Sequence, residues 1–156
     1  MRRVLLTGLA TIVLASPAAW ASDNWVVYKG QGSAWAYDAG DLVSGADKGI
    51  AIATYATYAA AGGNLSGTAY HYAVTKTVFN CSAETARVGE VSLYDNNGTL
   101  IRTLAAAATT QARPVGSPDV DQISKLLFGV GCAGAFPPAG AVQATGFANA
   151  LQRMKS

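Results

Sequence analysis

The sequence has few charged residues, and that scarcity excludes several classes of protein. Charged side chains make up 13% of the 156 residues and apolar ones 51%, so the chain lacks the composition of an intrinsically disordered protein. It has 11 Lys and Arg against 9 Asp and Glu, and two of the basic residues, Arg2 and Arg3, lie at the N-terminus. The nearly neutral remainder has no electrostatic basis for binding nucleic acid or an anionic membrane. We therefore expect no nucleic-acid partner and at most peripheral contact with a membrane.

Histidine is also scarce, because His71 is the only one. Zinc sites need several His or Cys ligands at characteristic spacings, so we expect no metal site of this kind. Asp38, Asp41 and Asp47 are close enough in sequence to bind Ca²⁺ together, but they lack the EF-hand pattern and its Glu, and a solvated turn is the favoured interpretation. A serine triad would need His71, yet no G-x-S-x-G motif is present. We expect a structural histidine, no cofactor and no enzymatic activity.

The N-terminus has the features of a secretory signal. Its two arginines precede an apolar stretch, Val4–Ala15, which is followed by Pro17 and the small-x-small tripeptide Ala19–Ala21. This order and length are typical of a cleaved signal peptide, so we predict a signal over residues 1–21 and export to the periplasm or cell surface. The alternative is a retained transmembrane anchor, because the uncharged run from Val4 to Ser22 is nearly long enough to span a bilayer. Pro17 disfavours that alternative, and the absence of a Cys after the stretch disfavours lipid attachment.

The chain has two cysteines, Cys81 and Cys132. An even number of cysteines in an exported protein favours a disulfide. Closing a loop of about fifty residues should stabilise the fold by roughly 4 kcal/mol in the chain-entropy description. Both cysteines have apolar neighbours, which disfavours a reactive thiol.

Alternating apolar residues predict a β-rich domain over residues 22–132. Asn97-Gly98 between two alternating runs is a strong hairpin signal, and the stretches 39–48 and 59–67 have the composition of loops. The predicted strands are Asn24–Lys29, Ser33–Asp38, Gly49–Tyr58, Thr68–Cys81, Arg87–Tyr94 and Thr99–Leu104.

A helix is predicted after Ser117-Pro118-Asp119, since serine caps helices well and proline suits their first turn. Apolar residues then recur at three- and four-residue steps, at Val120, Ile123, Leu127 and Val130. Either Gly129 or Gly131 should end this helix and place Cys132 just beyond it. The disulfide would thus join the end of the helix to the end of the fourth strand.

Residues 133–156 differ in composition and are interpreted as an Ala/Pro-rich appendage. Within them, Phe147, Leu151 and Met154 have the spacing of a weak helical face.

Aromatic residues are frequent on the predicted strands. Most should fill the core, because Ala and Gly supply little volume. Others would lie on the opposite face of the sheet, which indicates a second covered face provided by dimerisation or a ligand. These aromatic residues are Trp25, Tyr28, Trp35, Tyr37, Tyr55, Tyr58, Tyr70 and Tyr72.

The order of several short motifs resembles the surface-adhesin protein E family of exported bacterial proteins. These motifs are Trp25, Tyr37-Asp38, Val78–Cys81, the hairpin, and Pro114–Ser117 leading a helix to Cys132. The resemblance covers about residues 24–132. It implies an α+β fold with a six-stranded antiparallel sheet and a C-terminal helix tied to it by one disulfide. It also implies binding to host cells and extracellular-matrix proteins.

We therefore expect a non-enzymatic exported binding or adhesion module of the bacterial cell envelope. The alternative is a periplasmic structural or envelope-maintenance protein that acts through self-association, for example as a homodimer, or through a protein partner. A hydrolase with His71 as general base is the third hypothesis.

Overall fold

The computed structural model describes residues 24–30, 33–44, 49–106, 111–135 and 139–156. The predicted signal peptide, residues 1–21, lies outside the described residues, and so does Asp47. Cleavage after Ala21 therefore stays a prediction. No helix among the described residues is long and apolar enough to cross a membrane.

The described residues form one antiparallel sheet with helices on both faces. The strands are β1 (Trp25–Gly30), β2 (Ser33–Asp38), β3 (Ile50–Leu65), β4 (Thr68–Asn80), β5 (Thr85–Tyr94), β6 (Leu100–Leu104), β7 (Arg113–Pro114) and β8 (Val142–Ala144), and the helices are α1 (Ala39–Ser44), α2 (Gln122–Ala133) and α3 (Phe147–Lys155). The strand order is β6-β5-β4-β3-β2-β1-β8, and β7 pairs with Thr85 and Ala86 at the start of β5. The predicted fold class, an antiparallel sheet with a helix tied to it by a disulfide, is confirmed. Two short strands, β7 and β8, add to the predicted six.

Strand β3 is longer than predicted, because the stretch expected to be a loop from residue 59 continues the strand. Its register with β4 shifts between Tyr58 and Gly63, so the small residues between them form a wide bulge instead of leaving the sheet. The strand then ends in a two-residue turn at Ser66 and Gly67, which have φ values of 50° and 78°. Positive φ at both turn residues gives the twist that a tight hairpin needs. Pairing with the long β4 thus prevails over the loop-like composition of residues 59–65.

Helix α1 lies where a loop was predicted. The Asp38 carboxylate accepts hydrogen bonds from the backbone N–H groups of Gly40 at 2.9 Å and Asp41 at 3.3 Å, as a helix N-cap does. Leu42 then packs into the core. Asp41 accepts a hydrogen bond from Thr54 Oγ1 at 3.0 Å. Two of the three aspartates considered for Ca²⁺ therefore have structural partners.

Helix α2 begins later than predicted. Its N-cap is Asp121, whose side chain accepts a hydrogen bond from the Ser124 backbone N–H at 2.8 Å, whereas the predicted cap, Ser117, accepts one from Asp119 within a turn. The helix also continues past the glycines expected to end it and stops at Gly134, which has φ 64°. The αL conformation is the usual helix stop, and glycine adopts it without strain.

The disulfide between Cys81 and Cys132 is confirmed, with a Cα–Cα distance of 5.2 Å. Cys81 directly follows β4, and Cys132 lies in the last turn of α2. Gly131 lets the helix approach the sheet closely, because a Cβ there would lie 2.8 Å from Leu42 Cδ1 and 3.2 Å from Ala51 Cβ. The end of α2 is thus held both covalently and by close packing.

Each face of the sheet has its own apolar cluster. On the first face, α1 and α2 cover Val26, Tyr28, Tyr37, Ala51, Ala53, Tyr55, Phe79 and Ala86. On the second face, α3 covers Trp25, Val27, Ala36, Ala56, Tyr72, Val74 and Tyr94. The second covered face predicted from the aromatic pattern therefore exists. The prediction that a dimer partner or a ligand covers it is wrong, because α3 of the same chain does so.

The interpretation of the C-terminal residues as an appendage is corrected for residues 139–156. Strand β8 extends the sheet by pairing Trp25 with Ala144. On α3, Phe147 contacts the rings of Trp25 and Tyr94 at centroid distances of 5.1 and 5.3 Å. The side chains of Leu151 and Met154 are buried, which confirms the predicted helical face. The tail thus supplies one layer of the fold.

Burial of tyrosines predicts a loss of stability in alkali. Desolvation raises the pKa of Tyr28 and Tyr55 from 10.0 to about 12, and the Asp121 carboxylate contributes to the increase at Tyr55. Because the folded pKa is raised, this contribution to stability is complete below pH 10 and is lost as pH rises through 12. In a spectroscopic pH titration, we expect part of the tyrosinate absorbance of the folded protein to develop at higher pH than in protein unfolded in denaturant. Coincident titration curves would contradict this prediction.

Candidate functional site

The β3–β4 hairpin extends beyond the rest of the sheet as a two-stranded arm. Strand β2 pairs with β3 only as far as Tyr58, and β5 pairs with β4 only as far as Tyr72. The remaining hairpin residues, 59–65 and 68–71, have no further strand partner among the described residues. We call this segment the arm. Its two outer edges leave backbone groups available for a binding partner.

The arm is shaped by the bulge and by His71. The Nδ1 atom of His71 lies 3.2 Å from the Ala59 carbonyl oxygen, and because a carbonyl only accepts, Nδ1 donates this hydrogen bond. Gly62, with φ 79°, lies against the His71 ring. At Gly63 a Cβ would lie 2.5 Å from Tyr70 Cζ, so any larger residue there would require the Tyr70 ring to move from its position across the arm.

A cavity of about 510 Å³ lies between the arm and the turn that joins β5 to β6. Its lining includes Asn64, Tyr70, His71, Asp95 and Ile101. The cavity therefore combines polar side chains from both strands of the arm with a carboxylate and an aliphatic side chain from the β5–β6 hairpin. We call it the arm cavity.

The charge next to the arm cavity is fixed by the turn. Asp95 accepts hydrogen bonds from the backbone N–H groups of Asn97 and Thr99, both at 2.8 Å, and the hydrogen bond to Thr99 is the main cause of its lowered pKa. The predicted hairpin at Asn97-Gly98 is thereby confirmed. On the neighbouring strand, Arg102 Nη1 donates to Thr68 Oγ1 at 3.4 Å. A carboxylate and a guanidinium thus both lie near the arm.

Strand β6, beside the arm cavity, is an exposed edge of the sheet. It ends the strand order, and its Leu100 and Ile101 are 45% and 47% exposed. Leu65, at the tip of the arm, is 38% exposed. Exposed aliphatic side chains thus lie on β6 and at the tip of the arm, and we call these two segments together the arm surface.

The predicted site residues fall at opposite ends of β4. Cys81 follows the last residue of that strand and His71 lies near its first, so the disulfide stabilises the fold far from the arm surface. His71 Nδ1 donates a hydrogen bond to a backbone carbonyl, whereas in a serine triad this nitrogen donates to a carboxylate. Sequence reasoning missed the arm because residues 59–67 were interpreted as a loop. The Ser66-Gly67 dipeptide is the local signal that could have indicated a tight hairpin.

The chain has no significant match among protein-family models, curated proteins or solved structures. The resemblance to the surface-adhesin protein E family therefore stays a prediction based on the order of short motifs. The arm surface and the arm cavity are the features of the described residues that bear on function.

Proposed function

We propose that this protein is a non-enzymatic exported binding or adhesion module of the bacterial cell envelope. The observation that carries the proposal is the arm surface, where a two-stranded arm lies beside an open strand edge with exposed aliphatic side chains. Open strand edges bind extended protein segments through backbone hydrogen bonds, and the side chains along them provide specificity.

The other edges of the sheet are better protected than β6. Strand β8 has only three residues, and β7, which contains Pro114, covers Thr85 and Ala86 of β5. The stretch of β5 between β7 and β6, residues 87–90, carries two charged side chains, Arg87 and Glu90. Short strands and proline are common means of preventing unwanted pairing at an edge. By contrast, β6 has five residues, two of them exposed aliphatic ones, and no proline, and its one charged side chain, Arg102, donates a hydrogen bond to Thr68 on the arm. This difference favours a binding role for the β6 edge.

Export is supported by the disulfide and by the signal-like N-terminus. Disulfides persist in oxidising compartments such as the periplasm and the cell surface, and Cys81 and Cys132 are bonded to each other. The resemblance to the surface-adhesin protein E family supports adhesion as the purpose of export. A non-enzymatic role is favoured because the only histidine supports the bulge of the arm.

Binding through the arm surface predicts that Ile101→Asp weakens attachment. The change places a carboxylate among exposed aliphatic side chains, and we expect about a tenfold loss of affinity, as for a moderate interface hot spot. The measurement is binding of the oxidised exported protein to epithelial cells and to immobilised matrix proteins.

Val142→Asp is the matched control for this experiment. Val142 is 49% exposed and lies on β8 at the opposite edge of the sheet, so the same change there should leave binding intact. Equal loss in both variants, or no binding of the oxidised protein to any of these surfaces, would contradict the proposal.

Self-association is the second candidate function, and the β6 edge favours it as well. Two copies joined at β6 would form a continuous antiparallel sheet with twofold symmetry. This alternative predicts a dimer in analytical ultracentrifugation that Ile101→Asp dissociates and Val142→Asp does not. A protein that remains monomeric at its highest soluble concentration would rule the alternative out.

A further inference from the structure

We propose that the arm cavity binds a neutral oligosaccharide. The inference rests on the proposed function and names the class of ligand that a binding module of this kind would take. It is carried by the size of the cavity, by the mixture of hydrogen-bonding groups in its lining and by the balance of charge around it.

The size of the arm cavity suits a ligand larger than a single ion or water molecule. Its volume of about 510 Å³ lies within the range of roughly 300–1,000 Å³ that is typical of small-molecule sites. It is also open on one side, since Asn64 and Ile101 in its lining are exposed. A chain of sugar units can therefore enter without displacing either strand of the arm.

The lining offers both donors and acceptors of hydrogen bonds. Asn64 Oδ1 accepts from the Gly67 backbone N–H at 3.2 Å, which leaves its amide N–H groups to donate. His71 Nδ1 donates to Ala59, so in the neutral ring Nε2 is left as an acceptor. Asp95 adds a carboxylate, which accepts only. Sugar hydroxyls both donate and accept, and they match such a mixed set.

An apolar surface lies next to these polar groups. The Tyr70 ring is held across Gly63, and it is half-buried, with part of it open to solvent. Ile101 adds an exposed aliphatic side chain on the β6 side of the cavity. The tyrosine side chain combines an apolar ring with a hydroxyl group that forms hydrogen bonds. A sugar ring is also part apolar and part polar, with C–H groups on its faces and hydroxyl groups at its edge.

The charges around the arm cavity favour a neutral ligand. Asp95 in the lining repels anions, so an acidic polysaccharide is disfavoured. Arg102, which reaches Thr68 on the arm, repels polycations in the same way. Charges of both signs lie nearby, since Lys155 Nζ also donates to the Asn96 carbonyl in the same turn as Asp95. Salt screens interactions between charges, so binding of a neutral ligand should depend little on ionic strength.

The test is an NMR titration of the oxidised exported protein, in which backbone amides report on the site. The neutral probes are cellobiose, chitobiose, lactose, maltotriose and mannobiose, and the charged probes are sialyllactose and tetralysine. We expect at least one neutral probe to shift the amides of residues 61–64, 69–71 and 95 to the same extent at low and high salt. The inference is overturned if no neutral probe shifts these amides, or if only charged probes do.

Variants separate binding in the cavity from general effects on stability. Tyr70→Ala removes the ring from the cavity, and Ile101→Ser changes an exposed side chain that the fold should tolerate, so each should weaken binding about tenfold. Tyr58→Ala is the control, because Tyr58 lies on the face covered by α3, where it stacks on Tyr72, and its loss should leave saccharide binding unchanged. Equal affinity in all four proteins would overturn the inference.

The outcomes also separate this inference from the proposed function. If the protein attaches to cells or matrix through the arm surface but no neutral probe shifts the cavity amides, the saccharide inference fails and the binding function stands. If a neutral probe binds in the cavity but the protein attaches to none of the surfaces tested, adhesion fails and the saccharide site stands.

Discussion

Replacing both cysteines, as Cys81→Ala and Cys132→Ala, is expected to lower the free energy of unfolding by about 4 kcal/mol, because the bond closes a long loop in the unfolded chain. The two residues are 51 positions apart. A loss of this size is a large part of the 5–15 kcal/mol that is typical of a domain. The measurement is equilibrium unfolding in urea of the oxidised protein and of the double variant.

The structural effect of this change should be concentrated at the end of α2. Its N-terminal end keeps Asp121, which accepts a hydrogen bond from the Tyr55 hydroxyl at 3.0 Å, and its middle keeps the buried Leu127. The C-terminal turn loses its covalent attachment to β4. Hydrogen exchange should therefore increase most in the last turn of α2.

Ser82→Ala with Ala133→Ser is the matched control. These exposed residues directly follow the two cysteines, so the paired change alters the same two segments and leaves the bond intact. Surface substitutions of this kind usually change stability by no more than about 0.5 kcal/mol. If the double cysteine variant unfolds at the same urea concentration as this control, the disulfide does not stabilise the fold in the way that loop closure requires.

Features with a local signal could be predicted from the sequence. Alternation of apolar residues indicated the main strands, and the Asn97-Gly98 turn identified the β5–β6 hairpin. Two cysteines in a chain predicted to be exported were sufficient to predict the bond between Cys81 and Cys132. The strands and the hairpin depend on residues that are neighbours in the sequence. The disulfide depends on pairing two cysteines, for which there is only one possibility.

The features that failed depend on tertiary contacts. Helix α1 has only six residues, less than two turns, so it shows no helical periodicity, and its cap, Asp38, is equally common in loops. The bulged part of β3 has small residues that favour loops, but its ladder with β4 continues beyond the bulge to Leu65. Strand formation depends strongly on such pairing.

The candidate site also depends on tertiary contacts and could not be predicted from local sequence. The arm exists because β2 and β5 end before β3 and β4 do, and no single segment contains that difference in length. The arm cavity then needs Asp95 and Ile101 from a separate hairpin. Gly63 gives one indirect indication, since a glycine inside a strand often marks a close approach of another group, here the Tyr70 ring.

The packing of α3 leads to the second large effect, which concerns Leu151→Asp. Leu151 is buried in the cluster that contains Trp25, Tyr72 and Tyr94, and an aspartate there would place a carboxylate among apolar side chains. We expect the free energy of unfolding to fall by at least about 3 kcal/mol, because the buried position disfavours a charge and the lost side chain leaves a cavity. Urea unfolding measures the loss, and near-ultraviolet circular dichroism should show weaker aromatic signals.

Gln152→Asp is the control that separates the effect of burying the carboxylate from the effect of adding a negative charge to α3. Gln152 is exposed and is the next residue on α3, so it receives the same negative charge in nearly the same position along the helix. Its effect should stay within about 0.5 kcal/mol of the unchanged protein, as for most surface substitutions. If the two variants instead lose the same small amount, α3 does not pack on the sheet in solution and residues 139–156 are the appendage that their composition predicts. A large loss at Leu151 alone shows that α3 packs on its face of the sheet and covers it. That face is then not available to a partner, and the proposed binding function depends on β6 and the arm.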